Sequence, residues 1–209
     1  MSRYTLLFLN GAILTVCAVF IYDARAFVLT GLMLFLPLFD MQWQHRDRHW
    51  RLPFSRMLRE QTSAPGERGA RNRSQLVLWL LLTFLTLALI MFNPQHANTA
   101  LIILLLTALP EEWFFRAYVQ TRTERLIIDN TTNISPHKIM WLANITTSGF
   151  FALTHLPTQG VAGLWVLLPS LLFGWLYQAY RDLPLVILLH TLSNLFFIIY
   201  LRDMLLVQL

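Results

Sequence analysis

Hydrophobic residues run along this chain in blocks rather than in stripes. The stretch "LVLWLLLTFLTLALIMF" (76–92) has no polar face at any helical phase. A helix packed on a soluble core keeps such a face, whereas about 20 apolar residues cross a hydrocarbon core of about 30 Å. Blocks of this kind predict helical spans at 4–22, 26–39, 75–92, 99–119, 140–156, 163–180 and 184–201. The expected fold is therefore all-α: a polytopic membrane bundle of about seven helices, range six to eight, in one domain over 1–209. The second span is short. Arg3, the apolar run behind it and "ARA" (24–26) imitate a cleaved signal, but "AFVLTGLMLFLPLF" follows at once, so 4–22 is read as a retained first span.

Composition agrees with that picture. The chain has 209 residues, 56% hydrophobic and 13% charged, where a soluble domain carries about a quarter charged residues. The polar positions are concentrated in 40–74, which holds the eight arginines between Arg46 and Arg73. Within it, "REQTSAPGERGARNRS" (59–74) reads as a flexible loop. "WQHRDRHWRLPF" (43–54) mixes Trp with Arg as the headgroup zone does. Counting Lys and Arg on alternate sides puts the N-terminus and the 40–74 loop in the cytoplasm, because the opposite loops carry only Arg25 and Arg202. The formal charge of +5 is thereby explained by topology, without nucleic acid. The single cysteine, Cys17, excludes an internal disulfide.

Against this background "ALPEEWFFRAY" (108–118) is out of place. A charge at mid-membrane costs about 3 kcal/mol on insertion scales, so it faces protein or a wet cavity. Glu112 and Arg116, four apart, lie about 40° apart around a helix and can pair; Glu111 lies about 140° from Arg116 and needs another partner. Pro110 removes the donor for the carbonyl of Leu106, predicting a kink just before the glutamates. Two later spans add polar groups: "GFFALTHLP" (149–157), with Phe151 and His155 four apart, and "VILLHTLSNLFF" (186–197), with His190 and Asn194 four apart. A carboxylate beside an imidazole can hold and deprotonate a water, and a second imidazole with an amide can stabilise an oxyanion. That set amounts to hydrolysis of a carbonyl compound, with a peptide bond the natural candidate and no covalent nucleophile required.

These residues resemble a known family. "EEWFFR" (111–116), "FALTH" (151–155) and "HTLSN" (190–194) are similar, in order and rough spacing, to the EExxxR, FxxxH and HxxxN motifs of the CAAX-prenyl-protease and bacteriocin-processing family of glutamic intramembrane proteases. The resemblance covers 99–200, the expected protease core. It implies a helical membrane bundle around a conical polar cavity. It further implies that Glu111 and His155 activate the water, that His190 and Asn194 stabilise the oxyanion, and that Glu112, Arg116 and Phe151 support the site. No metal or other cofactor is implied. The substrate would be a membrane-anchored protein or peptide cut near its C-terminal end, either prenylated or carrying a C-terminal sorting tail. The chain's size resembles the small bacterial members, which places it in a bacterial inner membrane. Rival readings are a zinc-dependent membrane protease, a proton-coupled transporter, and a non-enzymatic immunity-type membrane protein. One tension stands: Glu111 falls near mid-span while His155 falls near the end of 140–156, so the drawn ends of that span are expected to be wrong.

Overall fold

The structure, a computed structural model, describes residues 25–44 and 65–202. The expected first span with Cys17 lies outside the described residues, as do positions 45–64 of the arginine-rich stretch. The described residues are helical throughout, apart from short connections, and contain no strand. We number the helices α1 (Arg25–Gln44), α2 (Pro65–Phe92), α3 (97–130), α4 (Pro136–Gln159), α5 (Leu167–Tyr180) and α6 (Leu183–Phe196).

Among the described residues three helices are long and apolar enough to cross a membrane: Arg73–Phe92, the 45-residue run Pro136–Tyr180, and Leu183–Leu201. The second of these spans α4, a 3₁₀ turn (Gly160–Val166) and α5. At 1.5 Å per residue it would be about 67 Å long if straight, room for two crossings of about 30 Å. It is interrupted at Gly160, whose φ of 58° is a conformation glycine enters at little cost. The expected spans 140–156 and 163–180 are the two sides of that break. The expected span 99–119 lies within α3, which is not among those three helices. The second expected span contains the apolar helix Val28–Leu38, shorter than a crossing needs.

The loop reading of 59–74 is corrected over its second half. Residues 65–74 are the first turns of α2. Proline, two glycines and arginines suggested a loop, but proline at the first helical position lacks only an N–H that would have no intrahelical acceptor there. The expected kink before the glutamates takes the form of two wide π-helical stretches in α3, Ile103–Ala108 and Trp113–Gln120. A π turn moves each acceptor's partner one residue further on, so a donor just beyond Pro110 suits the carbonyl that proline leaves unserved. Leu106 has a partner within the chain.

By its internal contacts the chain divides into two compact units. Among the described residues the first unit comprises α1 and 110–179. Its apolar core is Met33, Phe114, Phe115, Tyr118, Val119 and Phe151. Leu29, Leu32, Met33 and Leu36 reach it at helical spacing along one side of α1. The second unit comprises 65–109 and 180–202. There Ala100, Ile103 and Leu195 meet Leu89, Ile90, Ile198 and Ile199. Between helices in lipid, where tails are as apolar as leucine, close packing of this kind supplies the attraction. Large apolar side chains of α2 such as Leu80, Phe84 and Phe92 stay exposed, which suits a lipid-facing helix.

Candidate active site

The first unit places Glu111, Glu112 and Arg116 on α3 and Phe151 and His155 on α4. The expected ion pair is present: Arg116 Nε donates to Glu112 Oε2 at 2.9 Å, and both residues are 0% exposed. A guanidinium buried in low dielectric needs its remaining donors satisfied too. Arg116 Nη2 donates to Ser170 Oγ at 2.6 Å and Nη1 to Gln120 Oε1 at 3.3 Å. Gln120 Nε2 in turn donates to the carbonyl of Gly174 at 3.1 Å.

These contacts form a ladder. Arg116 meets Ser170, Gln120 meets Gly174, and Gln178 meets Glu124 at 2.8 Å, each pair 54 residues apart. A constant offset repeated every four residues means that α3 and α5 run in the same direction, one rung per turn. Gly174 is small out of necessity: a Cβ there would lie 1.9 Å from Asn144 Oδ1 and 2.9 Å from Arg116 Nη1. Asn144, buried on α4, donates to the carbonyl of Leu171 at 2.9 Å and accepts from Ser148 Oγ at 3.2 Å. Gln178 also donates to the carbonyl of Met140 at 2.7 Å, tying α4 to the same rung. Three helices are thus cross-linked through a buried polar seam.

α3 and α4 are joined by only five residues, 131–135, the connection of an antiparallel pair. The rings of Phe115 and Phe151 meet edge-on at 5.0 Å, and the ring of His155 lies 4.6 Å from that of Phe151. One turn back from Phe115 on α3 is Glu111; one turn forward from Phe151 on α4 is His155. Antiparallel helices bring those two positions to the same level. Glu111 is half-buried, with its Oε2 atom sealed from the surface. The helix ends expected at 140 and 156 were indeed wrong: α4 reaches Gln159, so His155 lies a full turn inside it.

His155 is tied to its own helix. Its Nδ1 lies 2.8 Å from the carbonyl oxygen of Phe151. A carbonyl only accepts, so Nδ1 carries a proton, and Nε2 is the nitrogen left for other partners. That is the atom a general base uses. The backbone behind it is covered by the 3₁₀ turn, where a Cβ on Gly163 would sit 2.9 Å from the carbonyl carbon and oxygen of His155. Phe151 therefore acts twice, by its ring and by its carbonyl.

The second unit places His190, buried, and Asn194, half-buried, one turn apart on α6. The helix begins at Asp182, whose side chain accepts from the N–H of Leu185 at 3.1 Å. Sequence reasoning missed Gln120, Glu124, Asn144, Ser170, Gln178 and Asp182. The signal for Gln120, Glu124, Ser170 and Gln178 was the four-residue recurrence of polar or small positions at 112, 116, 120 and 124 and again at 170, 174 and 178. Among the described residues no three His, Cys, Asp or Glu side chains are grouped to hold a metal ion.

Comparison with known proteins assigns the chain to a family. The family model for Type II CAAX prenyl endopeptidase Rce1-like proteins matches residues 73–196, the stretch that carries all three motifs. The chain belongs to that family, one of CAAX-protease-type peptidases of membranes. Its three apolar crossing helices and its family together mark it as an integral membrane protein. No curated protein and no solved structure matches the chain significantly.

Proposed function

We propose that the protein is a glutamic-type intramembrane endopeptidase that cuts a membrane-associated protein near its C-terminal end. Glu111 and His155 hold a water between them. His155 Nε2 or the Glu111 carboxylate takes its proton as the oxygen attacks the scissile carbonyl, and the proton then goes to the departing amine. His190 and Asn194 donate to the oxyanion. Glu112 and Arg116 fix α3 so that Glu111 keeps its place, and Phe151 orients His155. The arginine-rich stretch 40–74 lies on the cytoplasmic side, in a bacterial inner membrane.

The observation that carries this reading is the orientation of His155: its Nδ1–H is spent on the carbonyl of Phe151 at 2.8 Å, on the turn of α4 that lies level with Glu111. Nε2 is thereby the ring nitrogen left to take a proton from a water. The substrate belongs to the class the family is named for, a C-terminal tail anchored at the membrane by a prenyl group, or a C-terminal sorting tail in its place.

The test is a census of membrane-protein C-termini in cells carrying the wild-type protein and in cells carrying Glu111→Ala. The expected result is at least one shortened terminus that needs Glu111. An unchanged set of termini would remove the peptidase reading and favour the immunity-type role. Chelation separates the zinc-dependent alternative: cleavage is expected to survive prolonged treatment with a strong chelator, and its loss with recovery on added zinc would contradict the glutamic mechanism.

A further inference from the structure

The helix that carries His190 and Asn194 is anchored at its first residue by a side chain outside the three motifs. Asp182 is buried and uses both carboxylate oxygens. Oδ1 caps α6 by accepting from the N–H of Leu185 at 3.1 Å. Oδ2 accepts twice from α2: from Gln75 Nε2 at 2.6 Å and from Trp79 Nε1 at 2.7 Å. Gln75 and Trp79 are one turn apart on one side of α2. Hydrogen bonds to an ionised acceptor are shorter and stronger than neutral ones, so one carboxylate joins the start of α6 to two successive turns of α2.

Two further features bear on the same turn. The Tyr180 hydroxyl and Ser74 Oγ are hydrogen-bonded at 3.1 Å, a third tie to α2 just before the cap. Between Tyr180 and Asp182, Arg181 has a φ of 53°. That left-handed conformation is unfavourable for a side chain with a Cβ, and it persists only where the surroundings over-determine it. The chain enters α6 through a strained single residue pinned on both sides. Nothing else on the first turn of α6 is charged or polar: Leu183, Pro184, Leu185 and Val186 follow.

We infer that Asp182 is a positioning residue that sets the depth and rotation of α6, and through it the placement of His190 and Asn194. This rests on the oxyanion role proposed for those two residues. His190 is eight residues along, about 12 Å down the helix axis, and Asn194 about 18 Å. Over that length a helix is stiff, so a shift or roll at the cap is carried to both side chains. Apolar packing of Leu185, Val186 and Leu195 holds α6 in place but is weakly directional between helices in lipid, and the one side-chain bond at its far end, Asn93 Nδ2 to the Tyr200 hydroxyl, is long at 3.5 Å. The carboxylate supplies the missing reference.

The test separates capping from tethering. Gln75→Ala with Trp79→Phe leaves the cap and its charge in place and removes the tether. Asp182→Asn keeps an oxygen for the Leu185 N–H but opposes an amide to the two donors of α2. The full chain, labelled with ¹⁵N-histidine in detergent micelles, is examined by NMR, with His190 assigned from the spectrum of His190→Gln. Both variants are expected to move the His190 ring signals and to leave those of exposed His137 unchanged. In cleavage of a C-terminal farnesylated peptide both are expected to lower kcat by about 10- to 100-fold, with KM nearly constant, as misplacement of about 1 Å does. Unmoved His190 signals in the folded double variant would overturn the inference, as would wild-type kcat. Failure of the wild-type protein to cut any C-terminus would instead count against the proposed function, while the NMR result would still decide whether Asp182 controls His190.

Discussion

The two units treat their polar groups in opposite ways. The first buries a connected seam through three helices: Glu112, Arg116, Gln120, Ser170, Asn144 and Gln178 each find a partner on another turn or another helix. The second packs apolar side chains along its length and places its cross-links at the ends: the Asp182 carboxylate at one, and Asn93 Nδ2 donating to the Tyr200 hydroxyl at 3.5 Å at the other. In the first unit position is enforced every turn, so Glu111 and His155 stand on a rigid frame. In the second it is enforced at the ends, most strongly at Asp182, and a helix transmits it. Seam mutations therefore act through stability, and cap mutations through the geometry of α6.

The largest expected effect comes from breaking the seam at its centre. Arg116→Ala leaves Glu112 as an uncompensated charge at 0% exposure, and loss of one partner of a buried pair destabilises by about 3–5 kcal/mol. Thermal unfolding in detergent is expected to show a protein unfolded or nearly so at ordinary temperature. Glu111→Gln, one residue from the same pair, is expected to unfold like the wild type. Equal destabilisation by the two would erase the distinction between a framework acid and a reacting one.

A smaller and more local effect is expected at Gly163. A methyl group there would lie 2.9 Å from the backbone carbonyl carbon and oxygen of His155, so the 3₁₀ turn or the end of α4 must shift, carrying His155 with it. Gly163→Ala is expected to lower kcat about 10-fold or more and to lower the unfolding midpoint by less than Arg116→Ala does. A variant of normal kcat would show that the 3₁₀ turn does not govern His155.

The smallest effect belongs to the second unit. Arg181→Gly relieves the left-handed strain at the entropic expense of a more flexible unfolded chain. The net expectation is a gain of about 0.5–1 kcal/mol in unfolding measurements. A loss of stability would mean that the arginine side chain, and not only the backbone turn, holds the connection.

Much of this was legible in the residues, for identifiable reasons. The Glu112–Arg116 pair follows from a spacing of four, and the apolar crossing helices from hydropathy. The extension of α4 past His155 answers the tension between a mid-span acid and an end-of-span histidine. What could not be read was anything that depends on register between distant helices. The polar recurrence at 112–124 and the one at 170–178 are each visible alone, but their offset of 54 is a property of packing. The π stretches flanking the glutamates had Pro110 as their only herald, and proline predicts disturbance without specifying its form. The helical start at Pro65 was hidden because the same residue ends helices and begins them.

The central claim is that Glu111 activates the attacking water while Glu112 only holds the frame. The most direct measurement is the cleavage rate of the purified wild-type protein and of Glu111→Gln, reconstituted side by side in lipid vesicles with the same C-terminally anchored substrate. The account predicts that the glutamine variant, folded and with its Arg116 pair intact, releases no C-terminal fragment. Release of that fragment at a rate near the wild type's would contradict it.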